Sequence, residues 1–307
     1  MAHFLQSMVG SIDPYFLQVL VNIGIAIPLA LGLNVITGLT GQLSLGHAAF
    51  MSIGAFTGAI LTNRLGLPFE LNLLLSGLFT SLIGVLIGFP ILRLTGDYLA
   101  ICTLGFAEIV KVVFLNLDIT NKALGMQVLP PKTSIPTPIY VWLVAILAII
   151  FVTFLQSSRL GRAFKAIRED EIAAEAMGIN LARYKVISFA VGTFLAGIGG
   201  CLYAHFLNYI NPSDFGFLKS IDMLSMIVLG GLGSIPGAVF GASLLSAAPE
   251  FLRFMSQYRM LVYGALLVFL MVFRPNGILG GINFTELLFR KLGVKPRRAV
   301  QGQGGRK

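Results

Sequence analysis

Long apolar runs, interrupted by charge, proline or asparagine, make up most of this 307-residue chain. A helix needs about 20 apolar residues to cross the roughly 30 Å hydrocarbon core of a bilayer, and runs of that order occur at 15–36, 45–63, 71–92, 98–117, 137–156, 186–208 and 260–273, the last beginning near Phe254. The stretch 220–249 is equally apolar, but Gly230, Gly231, Gly233, Pro236 and Gly237 interrupt it, which one regular helix does not tolerate. It reads as two spans, or as two half-helices meeting inside the membrane. The pattern predicts an all-α polytopic membrane protein with about 8–10 transmembrane helices, some broken by Gly and Pro, in a single domain over 1–289.

A second interruption lies at LTGQLSLGHAAF (39–50), which joins two apolar runs without a charge between them. Lipid cannot satisfy broken backbone hydrogen bonds, so this segment must be buried in protein or line a wet cavity. Shifted by 190 positions it falls on LGGLGSIPGAVF (229–240), with Leu39, Gly41, Ser44, Ala48 and Phe50 matching Leu229, Gly231, Ser234, Ala238 and Phe240. The match is a candidate internal repeat of the kind that sets broken helices beside a translocation path; the alternative is two independent close-packing sites. Gly41, Gln42, Ser44, His47, Gly230, Gly231 and Ser234 are accordingly path candidates. Small-residue spacings at Gly54/Gly58, Gly84/Gly88 and Gly237/Gly241 predict close helix approach under either reading.

Composition agrees with the pattern: 56% of residues are apolar and 11% charged, far from the make-up of a soluble domain. The net charge of +9 would suit nucleic acid if it were spread along one polar face, but it sits in short stretches between and after apolar runs. Arg159, Arg162, Lys165, Arg168, Arg183 and Lys185 place the 159–185 loop in the cytoplasm by the positive-inside rule. The basic tail, 290–307, is expected on the same side and without fixed structure. Counting back five spans puts the N-terminus and the Pro-rich loop 118–136 outside. With no Lys or Arg before Arg64, the first apolar run lacks the basic flank of a cleaved signal and is expected to be a retained span. Cys102 and Cys201 stand apart in separate apolar runs, as packing residues do.

Ionisable residues inside membrane spans are the default candidates for function. Glu108 is a further path candidate, although Lys111 three positions on can simply neutralise it. His47 can line the path or pin the broken backbone with a hydrogen bond, and Glu250 with Arg253 reads as a pair at a helix end. Asp222, near the start of the 220–249 stretch, reads as interfacial. None of these has the spacing of a metal site or a catalytic triad, so no enzymatic chemistry is assigned.

The longest stretch that looks soluble is 158–180, where Phe164, Ile167, Ile172 and Ala176 recur near helical spacing and Gly178 is placed to stop a helix. Its mixture of acids (Glu169, Asp170, Glu171, Glu175) and bases suits docking to another protein better than lying on lipid headgroups. It resembles the coupling segment of ABC importer permeases, with Ala173, Ala174 and Gly178 on the family spacing, but Ile172 stands where the acid of the EAA pattern belongs. The closer resemblance is to the LivM branch of branched-chain amino acid permeases, through GRAFKAIREDE (161–171) leading into AMGIN (176–180). GLTGQLSLGH (38–47), GDYLAICTLGFAE (96–108), VLGGLGSIPG (228–237) and FRPNGIL (273–279) are similar to that family in the same order, so the likeness covers most of the chain.

That resemblance implies a multi-pass subunit of a heteromeric importer in a bacterial-type inner membrane, taking in leucine, isoleucine, valine or a related neutral amino acid. Implied partners are a LivH-like sister permease, two cytoplasmic ABC ATPases and an extracytoplasmic substrate-binding protein. ATP and Mg are expected on the ATPases, and no cofactor on this chain, which has no phosphate-binding loop of the Gly-x4-Gly-Lys-Ser/Thr type. The residues implied in coupling are Gly161, Arg162, Lys165, Arg168, Glu169, Glu171, Ala173, Ala174 and Gly178. Competing readings are an ion-coupled secondary transporter, with Glu108 or His47 as the coupling group, an importer for urea or short amides, and an intramembrane enzyme.

Overall fold

The computed structural model describes residues 14–130 and 137–251, together with 264, 277 and 278. The span expected at 260–273, the pair Glu250/Arg253 and the tail 290–307 lie outside the described residues or side chains.

Among the described residues, five helical segments are long and apolar enough to cross a membrane: Tyr15–Leu39, Phe69–Ile91, Asp97–Asn116, Pro138–Ser157 and Leu181–Leu207. The first combines α1 (Pro14–Leu33) with a π-helical turn, Asn34–Leu39, three residues beyond the run expected from sequence. Helix α2 (His47–Ile60) continues through a second π turn, Leu61–Leu65. The remaining long helices are α3 (Phe69–Ile91), α4 (Asp97–Asn116) and α5 (Thr137–Ser157). Two short helices, α6 (Arg159–Glu169) and α7 (Glu171–Ala176), then lead into α8 (Leu181–Leu207).

The interrupted stretch folds as two antiparallel helices, α9 (Phe217–Gly230) and α10 (Ile235–Phe251), meeting at a turn. At 14 residues α9 reaches about 21 Å, short of a full crossing, so the half-helix reading holds for it.

Helix α8 is the axis of the bundle, with α1, α2 and α3 packed along it, while α5 and α10 pack on α1. The apolar window of the first segment is 83% buried, against 28% for α3 and for α4, so α1 belongs to the core and α3 and α4 to the periphery. The outer face of α3 carries Leu74, Leu78, Leu82 and Leu86, an apolar band suited to lipid. Close backbone approach makes the tight contacts possible. Gly54 of α2 lies against the backbone of Gly197 of α8, and Gly230 of α9 against Gly237 of α10, as small-residue spacing predicts. Cys201 packs beside Gly58, and both cysteines are free thiols.

One end of the bundle is closed by a short antiparallel pair, β1 (Met126–Gln127) with β2 (Tyr209–Ile210). Asn63 clamps it, its Nδ2 donating to the Gln127 carbonyl at 2.6 Å and its Oδ1 accepting from the Leu129 amide at 3.0 Å. Just inside this end lies a buried polar knot that the sequence pattern does not reveal. Asn72 Nδ2 donates to Thr62 Oγ1 at 2.5 Å and to the Gly58 carbonyl at 2.9 Å, while His205 Nε2 meets Thr62 Oγ1 at 2.7 Å and its Nδ1 meets the Cys201 carbonyl at 2.8 Å. With Thr62 donating to Nε2, the proton of His205 sits on Nδ1 and every contact is a satisfied donor and acceptor pair.

The opposite, basic end carries α6 and α7. The sequence pattern suggests one amphipathic helix over 158–180, but the structure breaks it at Asp170, whose backbone turns extended (φ −159°, ψ 115°). There the carboxylate caps α7, Oδ1 accepting from the amides of Ile172 at 2.8 Å and Ala173 at 3.0 Å. Gly178, at φ +85°, ends α7 as expected, and Asn180 caps α8 by accepting from the Arg183 amide at 3.0 Å.

Candidate functional site

The two helix breaks, 190 residues apart in sequence, meet at the basic end, and the loop helix α6 is tied to both. Arg168, in the last turn of α6, donates from Nη1 to the Gly38 carbonyl at 2.5 Å and to the Leu232 carbonyl at 3.5 Å. Gly38 belongs to the π turn that ends the first span, and Leu232 to the turn between α9 and α10. Carbonyls at a helix C-terminus lack partners within the helix and carry partial negative charge, so a guanidinium is a fitting cap for them. The Arg168 stem also packs on Gly41, whose φ of +77° is open to glycine and strained for other residues.

Asn34 holds the breaks together from inside. Its buried carboxamide accepts from the Gly233 amide at 2.9 Å through Oδ1 and donates to the Ser234 carbonyl at 3.4 Å through Nδ2. Sequence reading missed this role, because a lone asparagine at the end of an apolar run looks like the boundary of a span. The signal that the sequence does carry is that Asn34 and Asn22 are the strongly polar side chains between Gln18 and Gln42, threonines aside. The Ser234 hydroxyl accepts from the Gly237 amide at 3.2 Å, capping α10, and Gly231 turns the chain at φ +114°. Gly277 packs against Gly231 and the Ile278 amide donates to the Leu229 carbonyl at 2.9 Å, so part of the FRPNGIL motif returns to this same place.

Glu171 makes a second tether. Its Oε2 lies 2.7 Å from Lys185 Nζ, a side chain only 7% exposed near the start of α8, and the Lys185 carbonyl receives Gln42 Nε2 at 3.5 Å. Thus the loop reaches the first break by two routes, through Arg168 and through Glu171 with Lys185. Gly161 sits where α6 turns tightly away from the carbonyls of Leu155 and Gln156. Arg162 donates to the Ser157 carbonyl at 3.2 Å, and burial, then the neighbouring Arg168, hold the exposed-side Lys165 below the ordinary lysine pKa.

The apolar residues of the loop split into two groups. Phe164 and Ile167 of α6 are buried against the bundle, while Ile172 and Met177 are 82% and 84% exposed. The helical spacing of Phe164, Ile167, Ile172 and Ala176 does not make one continuous face: the break at Asp170 sets α7 apart from α6, burying Ala174 and leaving Ile172, Ala173, Glu175, Ala176 and Gly178 outward. Glu169 is exposed as well.

His47 begins α2 from full burial and pins the break, its Nε2 meeting the Leu29 carbonyl of α1 at 3.2 Å. This contact is a hydrogen bond to backbone, of the kind its pin reading expects. Between Thr40 and His47 the chain climbs back into the bundle without helical bonds. The Leu45 amide donates to Thr103 Oγ1 at 3.1 Å, and the Ala48 amide to Ser220 Oγ at 3.1 Å. Thr37 Oγ1, Gln42 Oε1, Ser44 Oγ and His47 Nδ1 are buried polar atoms with no partner among the described residues. Glu108 pairs with Lys111 at 3.5 Å, as its spacing suggested, and stays apart from this assembly. No group of three or more metal-ligating side chains occurs among the described residues.

A multi-spanning membrane bundle whose two broken helices are strapped to a loop at one end is an architecture that suits a transport permease. The family model described as the permease component of branched-chain amino acid transport systems matches residues 15–271, and the chain belongs to this family. It is 39% identical to the high-affinity branched-chain amino acid transport system permease protein LivM of Salmonella typhimurium, over 83% of this chain and 68% of that one. It is 31% identical to the corresponding permease protein BraD of Pseudomonas aeruginosa, over 87% of this chain and 96% of that one. A stretch of 143 residues is 37% identical to the permease protein LivH of Salmonella typhimurium, 46% of each chain. No solved structure matches the chain.

Proposed function

We propose that this permease subunit forms half of the membrane channel of an ATP-driven importer in a bacterial inner membrane, carrying a branched-chain amino acid inward. A LivH-like sister permease supplies the other half, an extracytoplasmic binding protein delivers the cargo, and two cytoplasmic ABC ATPases, which hold ATP and Mg, dock on α6 and α7. The single observation that carries the reading is the Arg168 clasp, which ties the protruding loop to both helix breaks at once.

The mechanism follows from the tethers. The outward tip formed by Ile172, Ala173, Ala176 and Met177 offers a small apolar knob flanked by charge, suited to a groove in a partner protein. Closure of the ATPases displaces the knob, and the displacement passes through Arg168 to Gly38 and Leu232 and through Glu171 and Lys185 to α8. Because the backbone at 40–46 and 231–234 is not locked into helix, it is where the bundle can yield. Movement there re-aims α2, α9 and α10 around α8 and alternates access to the passage. With the 159–185 loop in the cytoplasm, as its excess of Lys and Arg requires, the direction of the stroke is from the inner face upward.

Co-purification with the ATPases tests the docking. Ile172→Asp with Met177→Asp should abolish ATPase association while the permease still inserts and pairs with its sister. Retention of the ATPases at wild-type stoichiometry would remove the knob assignment.

A further inference from the structure

The charges of the described residues lie near the two ends of the bundle, with four exceptions on two helices that touch, α4 and α9. Arg64 and Glu70 stand near the β1–β2 end, Arg93 and Asp97 at the basic end, and the rest of the end charges in the loops. The exceptions are Glu108 and Lys111 on α4 and Lys219 and Asp222 on α9. Glu108 is the twelfth of the 20 residues of α4. Lys219 and Asp222 flank Ser220, whose hydroxyl receives the Ala48 amide beside His47, and His47 is itself level with Leu29, midway along the Tyr15–Leu39 span. Glu108, Lys219 and Asp222 therefore lie near mid-depth, and Lys111, fifteenth of the 20 residues of α4, lies between them and the β1–β2 end. The two helices meet there, with Lys111 Nζ 3.6 Å from where a Cβ on Gly216, the residue before α9, would stand.

These groups are not sealed inside the bundle. The side chains of Glu108 and Lys111 are 46% and 28% exposed, Lys219 and Asp222 are half-buried, and the neighbouring Ile109 and Leu218 are 63% and 76% exposed. Ionisable groups at mid-membrane face a wet cavity or a protein partner, because hydrocarbon does not solvate them. The outer faces of α3 and α5 carry no such groups. Lys219 lies 5.4 Å over the Tyr203 ring and Lys111 pairs with Glu108, so the strip is partly self-neutralised yet open on its outward side.

We propose that Glu108, Lys111, Lys219 and Asp222 form this subunit's wall of the aqueous passage, and that they hand along the α-carboxylate and α-ammonium of a zwitterionic cargo. The inference deepens the permease reading and rests on it. Two ammonium and two carboxylate groups on adjacent helices complement both ends of an amino acid at once and leave no net charge to trap an ion. Ile109 and Leu218 beside them offer apolar surface to an aliphatic side chain. A neutral amide such as urea draws nothing from such a strip that hydroxyls would not supply, which makes α-amino acids the favoured cargo class.

The test uses the assembled complex carrying Cys102→Ala and Cys201→Ala, with single cysteines introduced as Glu108→Cys, Asp222→Cys and, on the lipid face of α3, Leu82→Cys. A membrane-impermeant thiosulfonate should label the first two and spare the third, and leucine at about ten times its dissociation constant from the passage should slow that labelling about tenfold. Absence of labelling at 108 and 222 in a complex that remains assembled would overturn the wall assignment, since the face is then sealed by the sister permease. Labelling slowed by urea or acetamide and unaffected by any α-amino acid would overturn the zwitterion assignment. Labelling does not require turnover, so failure of ATP-driven uptake in the unsubstituted complex registers separately, as failure of the importer reading itself.

Discussion

Replacing Arg168 by alanine removes the direct clasp between the docking loop and both helix breaks, leaving only the Glu171–Lys185 route to the first, without touching the spans. The bond to Gly38 at 2.5 Å is the strong one, and the contact with Leu232 at 3.5 Å is marginal. A hydrogen bond from a charged donor is worth about 1.5–3 kcal/mol, and solvent screening of this exposed side chain lowers the figure to about 1–2 kcal/mol. Taken as the coupling free energy between loop and breaks, that loss reduces transport per ATP hydrolysed about 5- to 30-fold. The fold should persist, because Asn34 still binds Gly233 and Ser234 from within. Arg168→Lys keeps the charge and loses the planar fork, so it should fall between wild type and alanine. The assay is uptake and ATP hydrolysis measured in parallel on the same proteoliposomes. An unchanged ratio of uptake to hydrolysis in Arg168→Ala would refute the clasp as a route of coupling.

Further outcomes follow from the same contacts. Glu171→Gln should leave the Lys185 ammonium, 7% exposed, without its carboxylate and destabilise the loop by about 1–2 kcal/mol, less than a fully buried pair because Glu171 is 40% exposed. Adding Lys185→Met should recover most of that loss in thermal unfolding of the purified complex, and additive destabilisation would argue against the pairing. His47→Ala removes a buried hydrogen bond to Leu29 and should cost about 1–3 kcal/mol, read as a lower melting temperature, with His47→Gln milder; equal melting temperatures for all three would contradict the pin. Gly237→Val drives a side chain into the Gly230 backbone, so correctly inserted protein should fall sharply while Val239→Ala, elsewhere on α10, is tolerated.

Much of this architecture was legible because lipid imposes a coarse and strict pattern. The boundaries of α3, α4 and α5 lie within two residues of the runs read from hydropathy, since hydrocarbon thickness and helix rise leave little freedom. The two breaks were legible for a related reason, as glycine and proline inside an apolar run have few other uses. Less was visible where the decisive partner is distant in sequence. That Asn34 would bind Gly233, or Arg168 reach Gly38, is a matter of how helices cross, which periodicity does not encode. That Ile172 would not share a face with Phe164 was hidden because Asp170 can serve as a capping residue between two helices or as a charge on one, and only the backbone turn decides. The half-exposed charges tell the same story: Glu108 and Lys111 were read correctly as a pair, but that Lys111 comes against Gly216, at the start of the helix carrying Lys219 and Asp222, needed the packing of α4 against α9.

The most direct test of the account is uptake of labelled leucine into proteoliposomes containing this subunit with its sister permease, its ATPases and a candidate binding protein, with and without internal ATP and with an ionophore present. The account predicts uptake that needs ATP and the binding protein and is indifferent to the ionophore. Uptake without ATP that collapses when the ionophore dissipates the ion gradient would contradict it and identify an ion-coupled transporter instead.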